Sequence, residues 1–171
     1  LASDNGNSET ARTVSTPGYT VELRLENQLV MMIGGGKIAM RKLPDLLATG
    51  AKICMIDPAP LTGMPQHPQL THHQRCYIPT DINSARLVFA ATNDAQVNAR
   101  IAEDAAARGI LCCRVDSADC SDFITPARLQ RPPLSFTIST GGESPAMASI
   151  LRDLLAKKIP PVWQTATELA A

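Results

Sequence analysis

A glycine turn set between an apolar run and a helical pattern constrains this chain more than any other feature. Leu29-Val30-Met31-Met32-Ile33 runs into Gly34-Gly35-Gly36-Lys37-Ile38-Ala39. Gly34, Gly36 and Ala39 match the Gly-x-Gly-x-x-Gly/Ala spacing of dinucleotide sites. The first glycine permits a tight turn, and the second lets a pyrophosphate come up to the backbone. The third small residue lets the helix pack closely on the strand. The helix start adds N–H groups and a positive dipole end for the phosphates. Such a fingerprint carries weight only between a strand and a helix, and both are in place here. Lys37 and Ile38, at the helix start, join Gly34, Gly35 and Gly36 as expected cofactor contacts.

Alternation of apolar and helical segments extends the pattern. Leu29 to Ile33, Lys52 to Asp57, Leu87 to Ala91 and Ile110 to Val115 read as strands covered on both faces. Lys37 to Thr49 reads as a helix carrying Ile38, Leu43, Leu46 and Leu47 on one stripe, with Gly50 as its cap. Pro44 should kink it. Asp94 to Arg108 reads as a second helix with Val97, Ile101 and Ala105 inward, closed by Gly109. Tyr19 to Leu25 alternates like a half-buried strand, and Arg75 to Pro79 is a candidate third strand of the series. Pro58 to Pro68, with four prolines and a glycine, is a loop. The fold class expected is α/β, a Rossmann-type doubly wound parallel sheet.

The pattern changes after Asp116. Leu134 to Ser139 reads as one isolated strand, and Ser144 to Lys158 as a helix with Ser144 as N-cap and Pro145 at its first position. A lone strand is not stable, so pairing with a second copy in a homodimer is expected. The organisation expected is a flexible leader over 1–18, in part a processing remnant, then a nucleotide-binding domain over 19–116. A strand-plus-helix dimerisation region over 117–171 completes it, with a shortened helical end frayed after Pro160-Pro161.

Lys+Arg and Asp+Glu both number 16, so no global field draws the chain to nucleic acid or to an anionic membrane. No apolar run reaches membrane-spanning length and no signal-peptide pattern opens the chain, which makes a cytoplasmic location the default. Cys54, Cys112 and Cys113 lie in apolar runs, where cysteine is usually a small buried hydrophobe.

Three acids and a threonine stand at strand ends. Asp57 comes 23 positions after Gly34, close to the spacing of an acid that binds the ribose hydroxyls of NAD. A carboxylate there disfavours the 2′-phosphate of NADP; the plain alternative is a solvated Asp before Pro58. Thr92 is the better cofactor contact in Thr92-Asn93-Asp94, because Asp94 suits a helix cap. Asp116 either accepts a proton during oxidation or binds the N–H groups of the turn Ser117-Ala118-Asp119. His72, His73 and Cys76 form a His-His-x-x-Cys cluster without the partner spacing of a known metal site, so no metal is expected. Arg114, Arg128, Arg131 and Arg152 are all able to clamp carboxylates.

Several of these motifs occur together in one known family. Gly34-Gly35-Gly36-x-x-Ala39-x-Arg41-Lys42, Ala90-Ala91-Thr92-Asn93-Asp94 with Asn98, Val115-Asp116, Asp122-Phe123-Ile124-x-Pro126-Ala127 and Ile138-Ser139-Thr140-Gly141-Gly142-x-Ser144-Pro145-Ala146 resemble the precorrin-2 dehydrogenase family. That family includes the amino-terminal module of bacterial siroheme synthase. The resemblance spans residues 19 to 158 and implies NAD-dependent oxidation of precorrin-2 to sirohydrochlorin by a homodimer, with iron insertion as an added activity in some members. It implies catalysis by Asp116, cofactor binding by the glycine loop and Thr92, and a tetrapyrrole cleft lined by Ser139, Thr140 and Gly141. Arg128 is taken as the substrate-carboxylate contact. Two features depart from the family: Pro44, and an end soon after Lys158 where the family continues into a helical region. Alternatives to a dehydrogenase alone are a bifunctional enzyme that also inserts ferrous iron, and a non-enzymatic NAD- or tetrapyrrole-binding module.

Overall fold

The computed structural model describes residues 18–159. The expectations for the leader, save Gly18, and for the end after Ile159 fall outside these residues. Five strands form one parallel sheet: β1 (Leu29–Ile33), β2 (Lys52–Ile56), β3 (Leu70–His73), β4 (Leu87–Ala90) and β5 (Leu111–Arg114). Their order is β3-β2-β1-β4-β5, so the chain reverses direction across the sheet beside β1. A ligand crevice is expected at that switch point, beyond the carboxyl ends of β1 and β4.

Alternation within each strand splits the core into two layers. Val30, Met32, Ile53, Met55 and Phe89 face Ala39 and Leu43 of helix α1 (Lys37–Leu47). Met31, Ile33, Ile56, Val88 and Ala90 face Ile101 and Ala105 of helix α2 (Ala95–Ala106). Both sheet faces are thereby covered, which is why the central strands β1 and β4 are continuously apolar. Helix α1 runs past Pro44 to Leu47. Ile38 is not on its buried stripe; it is 39% exposed, and Ala39 takes the inward place.

Three sequence expectations are corrected. Tyr19 to Leu25 forms no strand. β1 already has β2 and β4 as neighbours, so its edges are taken, and only Leu25 of this stretch is buried. The third strand is Leu70–His73 rather than Arg75 to Pro79. Arg75 instead pairs with Asp81 at 2.6 Å, and Pro79 opens a 3-10 turn to Ile82. Finally, Leu134 to Ser139 is not isolated. β6 (Ala127–Arg131) pairs antiparallel with β7 (Leu134–Ile138), Leu129 opposite Phe136. The hairpin removes the strand-pairing argument for a second copy.

The sheet ends at β5 because side chains occupy its outer edge. Asp122 Oδ2 accepts from the Cys112 N–H at 2.8 Å, and Ser121 Oγ accepts from the Arg114 N–H at 2.8 Å. Unpaired edge donors are thus satisfied without a further strand. From there the chain crosses to the α1 side, where Phe123 meets Phe89 edge to face at 5.4 Å and Lys42 donates to Thr125 Oγ1. Burial lowers the pKa of the Lys42 ammonium, which also lies 5.6 Å from the Phe89 ring centre. Helix α3 (Pro145–Lys158) packs on β6 and β7, and Ser144 Oγ caps it by accepting from the Met147 N–H.

Candidate nucleotide and proton-transfer site

The three glycines have three different surroundings. Gly34 has φ +99°, and a Cβ there would lie 2.4 Å from the Ala91 carbonyl oxygen. Only glycine allows this turn to sit flush against the end of β4. At Gly35 a Cβ would run into the side chain of Leu61, which folds back from the proline-rich loop. At Gly36 it would meet nothing within 4 Å. No packing among the described residues requires a glycine at that last position, so the open space above it suits a ligand.

Gly36 is also the N-cap of α1. No side chain caps the helix there and no acid lies in its first turn. The N–H groups of the first turn have no intrahelical partner, so they face this space with the positive end of the dipole. A nucleotide diphosphate fits these residues: Gly36 leaves it room, and Lys37, exposed in the same turn, adds a cation.

Asp57 stands on the other side of the loop. Its Oδ2 accepts from the Gly35 N–H at 2.5 Å, and its Oδ1 accepts from the Ala59 N–H at 2.8 Å. The carboxylate is therefore more than a solvated strand-end group, since it holds the glycine turn in shape. Asp94 takes the helix-cap role, accepting from Gln96 and Val97 N–H groups at 2.8 and 3.3 Å.

Thr92 and Asp116 are joined by a residue outside the expected site, Asn98. Its side chain is fully buried on α2. Asn98 Oδ1 accepts from the Thr92 N–H at 3.1 Å and from the Thr92 hydroxyl at 2.7 Å. Asn98 Nδ2 donates to the Thr92 carbonyl at 3.1 Å and to Asp116 Oδ1 at 3.1 Å. All four hydrogen-bonding positions of the amide are used, as burial demands. The available signal was an asparagine at i, i+3, i+7 spacing with Ile101 and Ala105, the inward face of the helix.

Asp116 meets a second residue that sequence reasoning left unranked. Arg114 Nη2 lies 2.7 Å from Asp116 Oδ2, and Arg114 Nε donates to Oδ1 at 3.3 Å. Arg114 ends β5 and Asp116 lies in the bend that follows, which brings the two side chains together. The Arg114 guanidinium holds the Asp116 carboxyl below its ordinary value, against a smaller opposing effect of burial. Asp116 is thus a fixed anion near the carboxyl end of β4, one hydrogen-bonded residue from Thr92. Its partners are Arg114 and Asn98 rather than the N–H groups of 117–119.

The remaining expected contacts form a second group. Arg128 pairs with Asp45 of α1 at 3.3 Å, both side chains exposed. Ser139 Oγ accepts from the Gly141 N–H at 3.2 Å, and Thr140 Oγ1 accepts from the Ser144 N–H at 3.0 Å. This turn comes up to the segment after Asp116, since a Cβ on Gly142 would lie 3.0 Å from Ala118 Cβ. His72 and His73 are successive residues of β3 and point to opposite faces, so they do not converge on one ion. Among the described residues no three His, Cys, Asp or Glu side chains gather as metal ligands.

The parallel sheet, the glycine turn and the open helix start together define a dinucleotide-binding Rossmann domain carrying a fixed carboxylate near its switch point. The chain belongs to the family described as NAD(P)-binding, whose profile matches residues 21–127. A second profile, described as the central part of a sirohaem biosynthesis protein, matches residues 131–158. Siroheme synthase of Chromobacterium violaceum is 39% identical over 145 residues, covering 83% of this chain and 31% of that protein. Siroheme synthase of Nitrosomonas europaea is 35% identical over 155 residues, covering 88% and 33%. The chain spans about a third of the length of these relatives. Among solved structures, SirC, a precorrin-2 dehydrogenase, matches with a TM-score of 0.72 at 26% identity, over 88% of this chain and 76% of that one.

Proposed function

We propose that this chain oxidises precorrin-2 to sirohydrochlorin with NAD, as a step of siroheme biosynthesis. The observation that carries the reading is the hydrogen-bonded line from Thr92 through Asn98 to Asp116, which sets a fixed carboxylate beside the open glycine crevice. The likeness to siroheme synthases and to SirC supports the substrate class.

Gly34, Gly35, Gly36, Lys37 and Ile38 hold the diphosphate, Asp57 receives the ribose hydroxyls, and Thr92 faces the reacting end. Asp57 favours NAD over NADP because its charge repels a 2′-phosphate. When bound, NAD supplies the acceptor for the hydride that leaves the macrocycle. A proton must leave as well, and Asp116 receives it. Arg128, Ser139, Thr140 and Gly141 meet the macrocycle and its carboxylates from the second group. The exposed apolar residues of α3, among them Ile150, Leu151 and Leu154, form the face on which a second copy docks. The likeness to siroheme synthases supports a cytoplasmic reaction; among the described residues no helix is long and apolar enough to cross a membrane.

The test is to add precorrin-2 and NAD and follow NADH absorbance. Wild-type chain should produce NADH with sirohydrochlorin, and Asp116→Ala should bind NAD with wild-type affinity yet turn over at least about a hundredfold more slowly. Wild-type chain that binds NAD without reducing it in the presence of precorrin-2 would leave a binding module. Unchanged turnover in Asp116→Ala would remove that residue from the chemistry.

A further inference from the structure

The four candidate arginines differ in what they hold. Arg128 is paired with Asp45, Arg152 with its neighbour Asp153 at 2.8 Å, and Arg131 donates to the Gln130 carbonyl. Arg114 alone of the four touches the candidate proton acceptor. Its side chain is 12% exposed, against 27% for Asp116, so both members of the pair keep some access to solvent.

This pairing has a chemical consequence. Asp116 Oδ1 is shared between Arg114 Nε and Asn98, whereas Oδ2 is engaged by Arg114 Nη2. A carboxylate held by a guanidinium is a poor base, because the cation stabilises the charged form and occupies the lone pairs. Asn98 cannot release it readily, being fixed by its bonds to Thr92. Arg114 also lines a groove with Glu103 of α2 and with Cys120 and Asp122 of the segment after β5, so open space lies beside its side chain.

We propose that Arg114 is a positioning residue that trades partners: it holds Asp116 in the resting site and turns to a carboxylate of the arriving substrate, which frees Asp116 Oδ2. The inference rests on the dehydrogenase reading, because it needs a polycarboxylate substrate and a departing proton. Oxidation then proceeds with the hydride leaving to NAD and the proton to Oδ2, which later gives it to water. The charged and titratable groups around the pair are Cys112 of β5, Glu103 on α2, and Cys120 and Asp122 beyond β5; Asn98 faces Asp116 from α2 without charge.

Two measurements on Arg114→Gln and Arg114→Lys test the exchange. Carbon-13 NMR of the Asp116 carboxyl, without substrate, reads the resting pair; kcat and KM for precorrin-2 across pH read the second partner. In Arg114→Gln the Asp116 titration and the acid limb of kcat/KM should both move to higher pH, and KM should rise about tenfold. Arg114→Lys should recover part of the KM, since it keeps the charge without the fork. Circular dichroism and NAD affinity, both expected at wild-type values, report the fold. A moved titration with unchanged KM means that Arg114 never meets substrate, and overturns the exchange. A raised KM with an unmoved titration means that the resting pair does not form, and overturns it equally. Both leave the dehydrogenase reading standing, whereas wild-type chain that binds NAD but reduces none of it with precorrin-2 sinks that reading and the exchange together.

Discussion

The parallel sheet and the hairpin region treat apolar residues in opposite ways. All of β4 is buried, and α2 buries Asn98, Ile101 and Ala105. In α3 only Ala148 is buried, while Met147, Ile150, Leu151, Leu154 and Leu155 are 37–54% exposed. The sheet is covered by a helix on each face, so its core closes within one chain. A two-stranded hairpin with one helix has no second layer to close against, and such a unit is marginal alone. It is tied to the first region by few contacts, notably Lys42 to Thr125, Phe123 on Phe89 and the exposed pair of Arg128 and Asp45. Among the described residues the first region thus closes its own core, whereas the second leaves an apolar face open, the face on which we propose that a second copy docks.

This contrast is open to test by mutation. The largest effect is expected at Gly34→Val, which adds a Cβ against the Ala91 carbonyl and forces a positive φ on a branched residue. It should cost about 3 kcal/mol or more in urea unfolding. Gly36→Asp sharpens the point. With open space at that position, the unfolding midpoint should hold while calorimetry shows NAD affinity falling by more than about tenfold. If both variants unfold alike, Gly36 is structural and the ligand crevice is misplaced.

A middle-sized effect is expected for Asn98→Leu. It strands the Thr92 backbone groups and one bond of Asp116, costing roughly 2 kcal/mol. Hydrogen exchange should locate the loosening near 92–98, with the hairpin unaffected. The smallest effect on stability belongs to the double change Leu151→Glu and Leu154→Glu. Exposed positions should shift unfolding by less than about 0.5 kcal/mol. Sedimentation should nevertheless show a wild-type dimer and a variant monomer. A wild-type monomer would break the comparison, because the open face would then need no cover.

Much of the first region was legible because burial on two faces leaves a strong mark. Continuous apolar runs at 29–33, 53–56 and 87–90 can be little else than strands of a covered parallel sheet, and the glycine spacing placed the turn. Where burial is one-sided the mark fades. Ala127–Arg131 carries only one buried residue, Leu129, among Arg128, Gln130 and Arg131, so it did not read as a strand. Tyr19 to Leu25 alternates without forming one, because alternation shows which residues could pair and not whether a free edge exists.

The sequence by itself determined the sheet class, the glycine crevice and the strand-end positions of Asp57, Thr92 and Asp116, since each follows from local spacing. Tertiary structure alone decided what those residues touch. Asp57 closes on Gly35 across 22 positions, and Asn98 reaches Asp116 across 18. Hydrogen-bond partners and the ionisation they impose depend on distances through space, which the order of residues does not encode locally. For that reason Asp116, Arg114 and Asn98 were each visible in the chain, while their pairing emerged only once the chain was folded.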